Sequence, residues 1–194
     1  ALGEEKMVDV YFPPGYDENP DWHFPVIYYL HGWGGNQNTM NTLTGLITLM
    51  IEDEVIEPVI LVGADNSPPP LDGSGYVNSI LWGDYEDYNV YDLVNWVDAS
   101  FRTLPERNGR GLFGQSMGGS GAFRYGILHH DIFGALASHA GPLNFNDDFF
   151  RTESQQAIKN ENNPGPPYTY TFGGYRPSTI LNFIGCGMYA PDTN

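Results

Sequence analysis

The feature that most constrains this chain is a glycine–serine turn between an apolar segment and a run of helix-forming residues. Residues 112–118 read Leu-Phe-Gly-Gln-Ser-Met-Gly, which contains the pattern G-x-S-x-G, and residues 122–128 favour a helix. Between a strand and a helix, this pattern forms a sharp turn that strains the serine and exposes its hydroxyl. Side chains at Gly114 and Gly118 would collide with the neighbouring strand and helix. The sequence therefore predicts that Ser116 is a nucleophile.

Composition and charge exclude several classes of function. The chain has 194 residues, of which 41% are hydrophobic, and this predicts one globular domain over residues 1–194. The net charge of −16 argues against nucleic acids and anionic membrane surfaces as partners. The single cysteine, Cys186, excludes an intrachain disulfide and a cysteine metal cluster. No basic region followed by an apolar run opens the sequence, so we expect that any export signal has been removed or never existed. No apolar run is long enough to span a bilayer. We expect a secreted or periplasmic protein rather than a cytoplasmic one.

Strands and helices are predicted to alternate along the first 142 residues. The expected strands are 7–12, 24–30, 59–62, the segment before Ser116, and 133–139; the expected helices are 36–53, 84–101 and the one after Ser116. The proline- and glycine-rich loop 64–79 is expected on the surface. This order predicts an α/β fold with a mostly parallel sheet, helices on both of its faces, and a site at the carboxyl ends of the strands.

A second glycine-rich turn would complete a site for acyl transfer. When Ser116 attacks an ester carbonyl, the resulting oxyanion needs two N–H donors that are already in place. In this arrangement one donor is the residue after the nucleophile, here Met117, and the other lies in a loop after a buried strand. Residues 31–35, His-Gly-Trp-Gly-Gly, form that loop. The expected donor is the N–H of Trp33, with Gly32 beside the substrate.

Three segments resemble a known family of enzymes. They are residues 31–35, residues 76–88, which read Tyr-Val-Asn-Ser-Ile-Leu-Trp-Gly-Asp-Tyr-Glu-Asp-Tyr, and residues 114–119. Together they resemble the putative esterase family of α/β-hydrolases, which includes esterase D-type enzymes, feruloyl and acetyl xylan esterases, and mycolyltransferase-like proteins. The resemblance covers most of residues 7–142. It implies an α/β-hydrolase fold, carboxylic ester hydrolysis by a Ser-Asp-His triad, and no metal or cofactor.

The base and the acid of that triad are harder to locate. In this fold they follow the serine in the order acid, then histidine. We interpret His129 and His130 as structural residues at a helix end. His139 is then the candidate base, or it packs beneath the pocket, and Asp192 is the candidate acid, or it belongs to an insertion before the acid strand. Family members continue through two more strands that carry the acid and the histidine, so the resemblance implies that both lie in sequence beyond these residues. We therefore expect the chain to be the N-terminal part of a longer enzyme and to associate with its own C-terminal segment.

The sequence leaves the substrate and the exact reaction open. The polar segment 144–178 is either a lid or insertion over the site or a surface excursion. Trp82 is expected to contact the substrate, although aromatic residues of this kind also pack at the rim of a core. The main hypothesis is a serine carboxylic ester hydrolase that acts on short acyl esters or on feruloyl or acetyl sugar esters. The alternatives are a non-catalytic binding module on the same fold and an acyltransferase of the mycolyltransferase type.

Overall fold

The computed structural model describes residues 1–69 and 71–143, together with Gln156 and Asn160. Apart from these last two residues, the predicted lid or insertion at 144–178 lies outside the described residues. Asp192 lies outside them as well. No helix in the described part of the chain is long and apolar enough to cross a membrane.

A five-stranded sheet lies at the centre of the structure, with the strands in the order β1-β3-β2-β6-β7. The pairs β3–β2, β2–β6 and β6–β7 are parallel, whereas β1 runs antiparallel to β3 at one edge. Two short strands form a separate ladder. The mostly parallel sheet is therefore confirmed. In chain order the strands are β1 (Val8–Tyr11), β2 (Val26–Leu30), β3 (Ile60–Ala64), β4 (Asn78–Ser79), β5 (Gly83–Asp84), β6 (Arg110–Gln115) and β7 (Ala135–His139).

The helices fall close to their predicted positions. The α-helices are α1 (Asn41–Glu52), α2 (Tyr85–Asp87), α3 (Val94–Ser100) and α4 (Met117–Leu128); two 3-10 helices span Gln37–Met40 and Arg107–Gly109, and a π-helical turn spans Tyr88–Leu93. The capping box around Asn36 supports the start of the first helical segment, because the Asn36 side chain accepts from the Asn38 N–H at 3.0 Å. The predicted helix 84–101 is continuous, but its middle is π-helical, which the apolar spacing did not indicate.

Helices cover both faces of the sheet, as the sequence predicted. On one face, residues such as Val26 and Leu30 pack against α3 and α4 in the larger of two apolar clusters, which includes Val97 and Tyr125. On the other face, Tyr29 packs with partly buried side chains of α1. Burying one such apolar side chain stabilises the folded state by about 1.5–3 kcal/mol. These two layers fix the carboxyl ends of β2 and β6 side by side, with Leu30 in register with Gly114.

Most of the described residues in the loop between β3 and β4 are buried, so the prediction that the loop lies on the surface is wrong. Asn66, Ser74 and Tyr76 are each 0% exposed. The loop can be buried because its polar groups find partners inside the protein. The Ser74 N–H donates to Asn66 O at 2.9 Å, and the Tyr76 hydroxyl donates to His31 O at 2.8 Å. The prolines and glycines of this segment indicated turns correctly, but turns alone do not determine exposure.

Candidate active site

Ser116 lies at the junction of β6 and α4 in a strained backbone conformation. Its φ is 53° and its ψ is −117°, and the residue is exposed. A non-glycine residue in such a region costs about 1–3 kcal/mol and persists only where its surroundings impose it. Here the Ser116 N–H donates to His139 O at 2.8 Å, and Ser116 O accepts from the Ser120 N–H at 3.1 Å. The turn predicted from the glycine–serine pattern is confirmed.

The two glycines of the pattern allow three backbone segments to approach closely. A Cβ atom on Gly114 would overlap the Gly118 carbonyl group, and a Cβ atom on Gly118 would overlap the Leu30 carbonyl group. Strand β6 therefore runs directly into α4, and the first turn of α4 lies against the end of β2. This close packing brings Ser116 beside the loop that follows β2.

Residues 31–35, called the oxyanion loop below, lie directly against Ser116. A Cβ atom on Gly32 would be 3.5 Å from Ser116 Cβ and 3.4 Å from Gln115 O. Hydrogen bonds hold the far side of the loop, where the Gly34 N–H donates to Asp72 O at 2.9 Å. The N–H groups of Trp33 and Met117 donate to no acceptor within the described part of the chain. Their role as oxyanion donors stays a prediction.

His31 is a buried, neutral member of the oxyanion loop and is 1% exposed. Its Nε2 lies 3.0 Å from the Asn66 N, and its Nδ1 lies 2.8 Å from Gly32 O. A backbone N–H only donates and a carbonyl only accepts, so Nε2 accepts and the proton is on Nδ1. Burial lowers the pKa of this imidazole below its ordinary value. With both nitrogens engaged, His31 shapes the loop and is not free to take a proton from Ser116.

The buried His31 predicts a loss of stability at acidic pH. In the unfolded chain this imidazole gains a proton near its ordinary pKa of 6.5, whereas burial keeps it neutral in the folded state. The unfolded state therefore binds more protons below that pH. The contribution of the neutral imidazole to the free energy of unfolding is fully present above pH 6.5. It is lost as the pH falls, by at most about 1.4 kcal/mol per pH unit.

Urea unfolding of the wild type between pH 8 and pH 5 measures this effect. His31→Gln should remove this part of the slope of the free energy of unfolding against pH. His23 is exposed, so His23→Gln is the matched control and should keep the slope. Equal slopes in all three proteins would contradict the assignment of a buried neutral imidazole.

The loop between β3 and β4 forms a wall next to the oxyanion loop. A Cβ atom on Gly73 would be 2.6 Å from Met117 Sδ and 3.2 Å from Trp33 Cε3. Trp82, which is half-buried, donates from its indole Nε1 to Ser74 O at 3.2 Å.

The structure thus brings Gly32, Trp33 and Met117 to Ser116, and attaches Trp82 to the adjoining wall. Sequence analysis did not single out Gly73, although its close approach to Met117 is a reason to have glycine there.

His139 contributes to the site through its main chain. It ends β7 opposite Gln115, its side chain is exposed, and its carbonyl holds the Ser116 N–H. No hydrogen bond joins its imidazole to Ser116 within the described part of the chain, so its role as base stays a prediction. His129, at the far end of α4, has its Nε2 2.8 Å from Glu86 Oε1. This contact agrees with the structural role that we expected for His129.

In residues 1–69 and 71–143, no three His, Cys, Asp or Glu side chains are grouped so that they could hold a metal ion. The described groups at the site are the Ser116 hydroxyl and the neighbouring backbone N–H groups.

Comparison with known proteins identifies the family. The family described as Putative esterase matches residues 1–164. This chain belongs to the putative esterase family. An esterase of Mycobacterium tuberculosis (strain CDC 1551 / Oshkosh) is 31% identical to it over 150 residues, which make up 77% of this chain and 32% of that protein. An endo-1,4-beta-xylanase/feruloyl esterase of Xylanibacter ruminicola is 28% identical over 140 residues, which are 69% of this chain and 19% of that protein.

Solved structures show the fold of this chain. A ferulic acid esterase from Anaeromyces mucronatus, in complex with ferulic acid, superposes with a TM-score of 0.60 at 22% identity, covering 74% of this chain and 55% of that one. The likeness establishes the α/β-hydrolase fold. The chain spans about a third or less of the length of these curated relatives.

Proposed function

We propose that this protein is a serine carboxylic ester hydrolase that forms an acyl-enzyme on Ser116. The observation that carries the proposal is the geometry of Ser116, which is exposed at a strained positive φ and lies beside the oxyanion loop. Strain at an exposed serine is typical of a nucleophile whose hydroxyl must project from the end of a sheet. Membership of the putative esterase family supports the same reaction.

The proposed mechanism has two steps. Ser116 Oγ loses its proton to a histidine base and bonds to the acyl carbon, while the N–H groups of Met117 and Trp33 bind the oxyanion. The intermediate collapses, the alcohol leaves with the proton, and water then hydrolyses the acyl-enzyme by the same route. Each oxyanion donor contributes about 3–4 kcal/mol to the stability of the transition state. We expect the base and the acid in the C-terminal part of a longer enzyme, and His139 and Asp192 are the alternatives within this sequence.

The proposed substrates are short acyl esters and feruloyl or acetyl esters of sugars. Two of the relatives compared above carry feruloyl or ferulic acid esterase in their names. The half-buried rings of Trp33 and Trp82 belong to the oxyanion loop and the adjoining wall, where a flat phenolic or sugar group would find an apolar contact. The net charge of −16 is compatible with uncharged esters such as these.

A fluorophosphonate probe tests the proposed nucleophile. We expect the full-length protein to gain one phosphonyl group, because the probe reacts with a serine that has an activating base and an oxyanion site. Trypsin would cut after Arg110 and Arg124, and the peptide between them contains Ser116 and Ser120. Fragmentation of that peptide should place the label on Ser116.

The outcomes distinguish the alternatives. Label on Ser116 together with release of acid from acetyl, butyryl or feruloyl esters supports the hydrolase, and the preferred ester identifies the acyl group. Label with transfer of the acyl group to a sugar hydroxyl, and no free acid, would favour the acyltransferase. Absence of label and turnover would overturn the proposal in favour of a non-catalytic binding module.

A further inference from the structure

A chain of buried hydrogen bonds runs behind the oxyanion loop and begins on the π-helical turn. Asn89 Nδ2 donates to Asn66 Oδ1 at 2.5 Å and to Tyr85 O at 2.6 Å. Asn66 in turn donates from Nδ2 to Ala64 O at 3.1 Å, and its backbone N–H donates to His31 Nε2 at 3.0 Å. Asn66 is 0% and Asn89 is 4% exposed. These two amides connect the π-helical turn to the oxyanion loop through the interior of the protein.

The orientation of both amides is fixed by the acceptors of their nitrogens, while Asn89 Oδ1 is buried and has no partner among the described residues. Tyr85 O and Ala64 O are carbonyl oxygens and only accept, so the amide nitrogens of Asn89 and Asn66 must face them. Asn66 Oδ1 is then the acceptor that remains for Asn89. A break at Asn89 would leave Asn66 Oδ1 buried without this donor, at a cost of about 1–3 kcal/mol. The chain therefore has a single arrangement, which it imposes on His31.

The last link of the chain helps to hold the peptide unit that carries the Trp33 N–H. The Gly32 carbonyl and the Trp33 N–H belong to the same peptide unit, which is planar, so in its trans form the two groups point in opposite directions. His31 Nδ1 donates to Gly32 O at 2.8 Å, and the Gly35 N–H donates to the same oxygen at 3.0 Å. The Tyr76 hydroxyl donates to His31 O in the preceding peptide unit. With the carbonyl held on one side, the Trp33 N–H is directed to the other.

The π-helical turn is a second observation that sets Asn89 apart. Such turns are rare in proteins and are frequent at functional sites. Val90 and Leu93 of the same turn belong to the larger apolar cluster, so Asn89 is an amide in an otherwise apolar setting. An apolar side chain there would need no hydrogen-bond partner. The amide donates to Asn66 Oδ1 and to Tyr85 O, and an apolar side chain could make neither contact.

We propose that Asn89 and Asn66 are positioning residues that orient the Trp33 N–H through His31 and the Gly32 carbonyl. This inference rests on the proposed function, because it assumes that the Trp33 N–H binds the oxyanion. Neither asparagine contacts the reacting atoms. Their effect should therefore fall on the transition state, in which the oxyanion is fully formed, more than on binding of the ester.

The variant Asn89→Leu tests the inference, because it keeps a side chain of similar size and removes the donor to Asn66. In the full-length protein we expect kcat for an ester to fall about tenfold with KM changed less than about twofold. The affinity for a trifluoromethyl ketone analogue, which forms the oxyanion, should fall by the same factor as kcat/KM. Asn89→Ser also breaks the contact with Asn66, and its side chain is smaller than leucine. It is the variant to use if the leucine variant does not fold.

Thr103→Val is the matched control. Thr103 is 2% exposed and donates to Asp98 Oδ1 at 2.6 Å. It forms a β-bridge with Phe24, which precedes β2, so it lies at the amino end of that strand and Ser116 lies near its carboxyl end. It should lower stability and leave kcat unchanged. If a folded Asn89 variant keeps the kcat and the analogue affinity of the wild type, the positioning role is overturned, but the proposed function is not. Absence of fluorophosphonate label on the wild type would instead overturn the proposed function, and this inference with it.

Discussion

Replacing Ser116 by alanine is expected to lower kcat for every ester that the full-length protein hydrolyses, by about 10⁴-fold or more. The variant lacks only the hydroxyl oxygen that would carry the acyl group, so no acyl-enzyme can form. Alanine has the same strained φ to adopt, and the hydrogen bonds that hold the turn use backbone atoms of Ser116. The free energy of unfolding should therefore change by less than about 1 kcal/mol.

The matched control for this prediction lies one helical turn away. Ser120 is also a serine of α4, but its hydroxyl donates to Pro142 O at 2.8 Å. Ser120→Ala should keep kcat within about twofold of the wild type and should still be labelled by a fluorophosphonate. The comparison requires steady-state kinetics and circular dichroism on both variants. Turnover by a folded Ser116→Ala protein would show that another residue is the nucleophile.

The sheet and its helices were predictable because their signals are local. A continuous apolar run such as 24–30 is typical of a strand buried on both faces, and β2 is that strand. The glycine–serine turn was equally predictable, since only a strand-to-helix junction explains glycine at both Gly114 and Gly118. The antiparallel edge strand β1 was expected as a strand, but nothing in its short alternating pattern indicates its direction.

The parts that escaped prediction depend on contacts between residues far apart in the sequence. The loop between β3 and β4 is buried because Tyr76 reaches the carbonyl of His31, 45 positions earlier. The π-helical turn is invisible to apolar periodicity, because the apolar face of the helix stays continuous through it. Asn66 follows a buried strand, where polar residues often belong to a site. That position was the one available signal for the chain of contacts with His31 and Asn89.

The candidate site was predicted unevenly for the same reason. Ser116, Gly32, Trp33 and Met117 lie at the carboxyl ends of neighbouring parallel strands, so strand order was enough to bring them together. In this fold the acid and the base follow the serine in the sequence, and the spacing of residues alone does not show where they lie. His139 illustrates the limit, since its position at the end of β7 was predicted and its main-chain contact with Ser116 was not.

Gly118→Ala is the second change with a large expected effect. The new Cβ atom would overlap the carbonyl group of Leu30, and both atoms at the clash are held by the backbone, which cannot rotate away. The N-terminal turn of α4 must therefore move away from β2. That movement displaces Ser116 and the Met117 N–H relative to the oxyanion loop, which lies directly beyond Leu30. A misplacement of about 1 Å at such a site costs about 100-fold in rate.

We expect Gly118→Ala to lose at least about 100-fold in kcat/KM and about 1–3 kcal/mol in the free energy of unfolding. Gly45→Ala is the matched control, because Gly45 lies inside α1 and a Cβ atom there meets nothing within 4 Å. Alanine favours a helix over glycine, so this control should gain about 0.5–1 kcal/mol and keep its activity. Urea unfolding and ester kinetics on both variants separate the steric effect from the general effect of adding a methyl group. Full activity in Gly118→Ala would mean that α4 tolerates a displacement from β2, and that the position of Ser116 does not depend on this close approach.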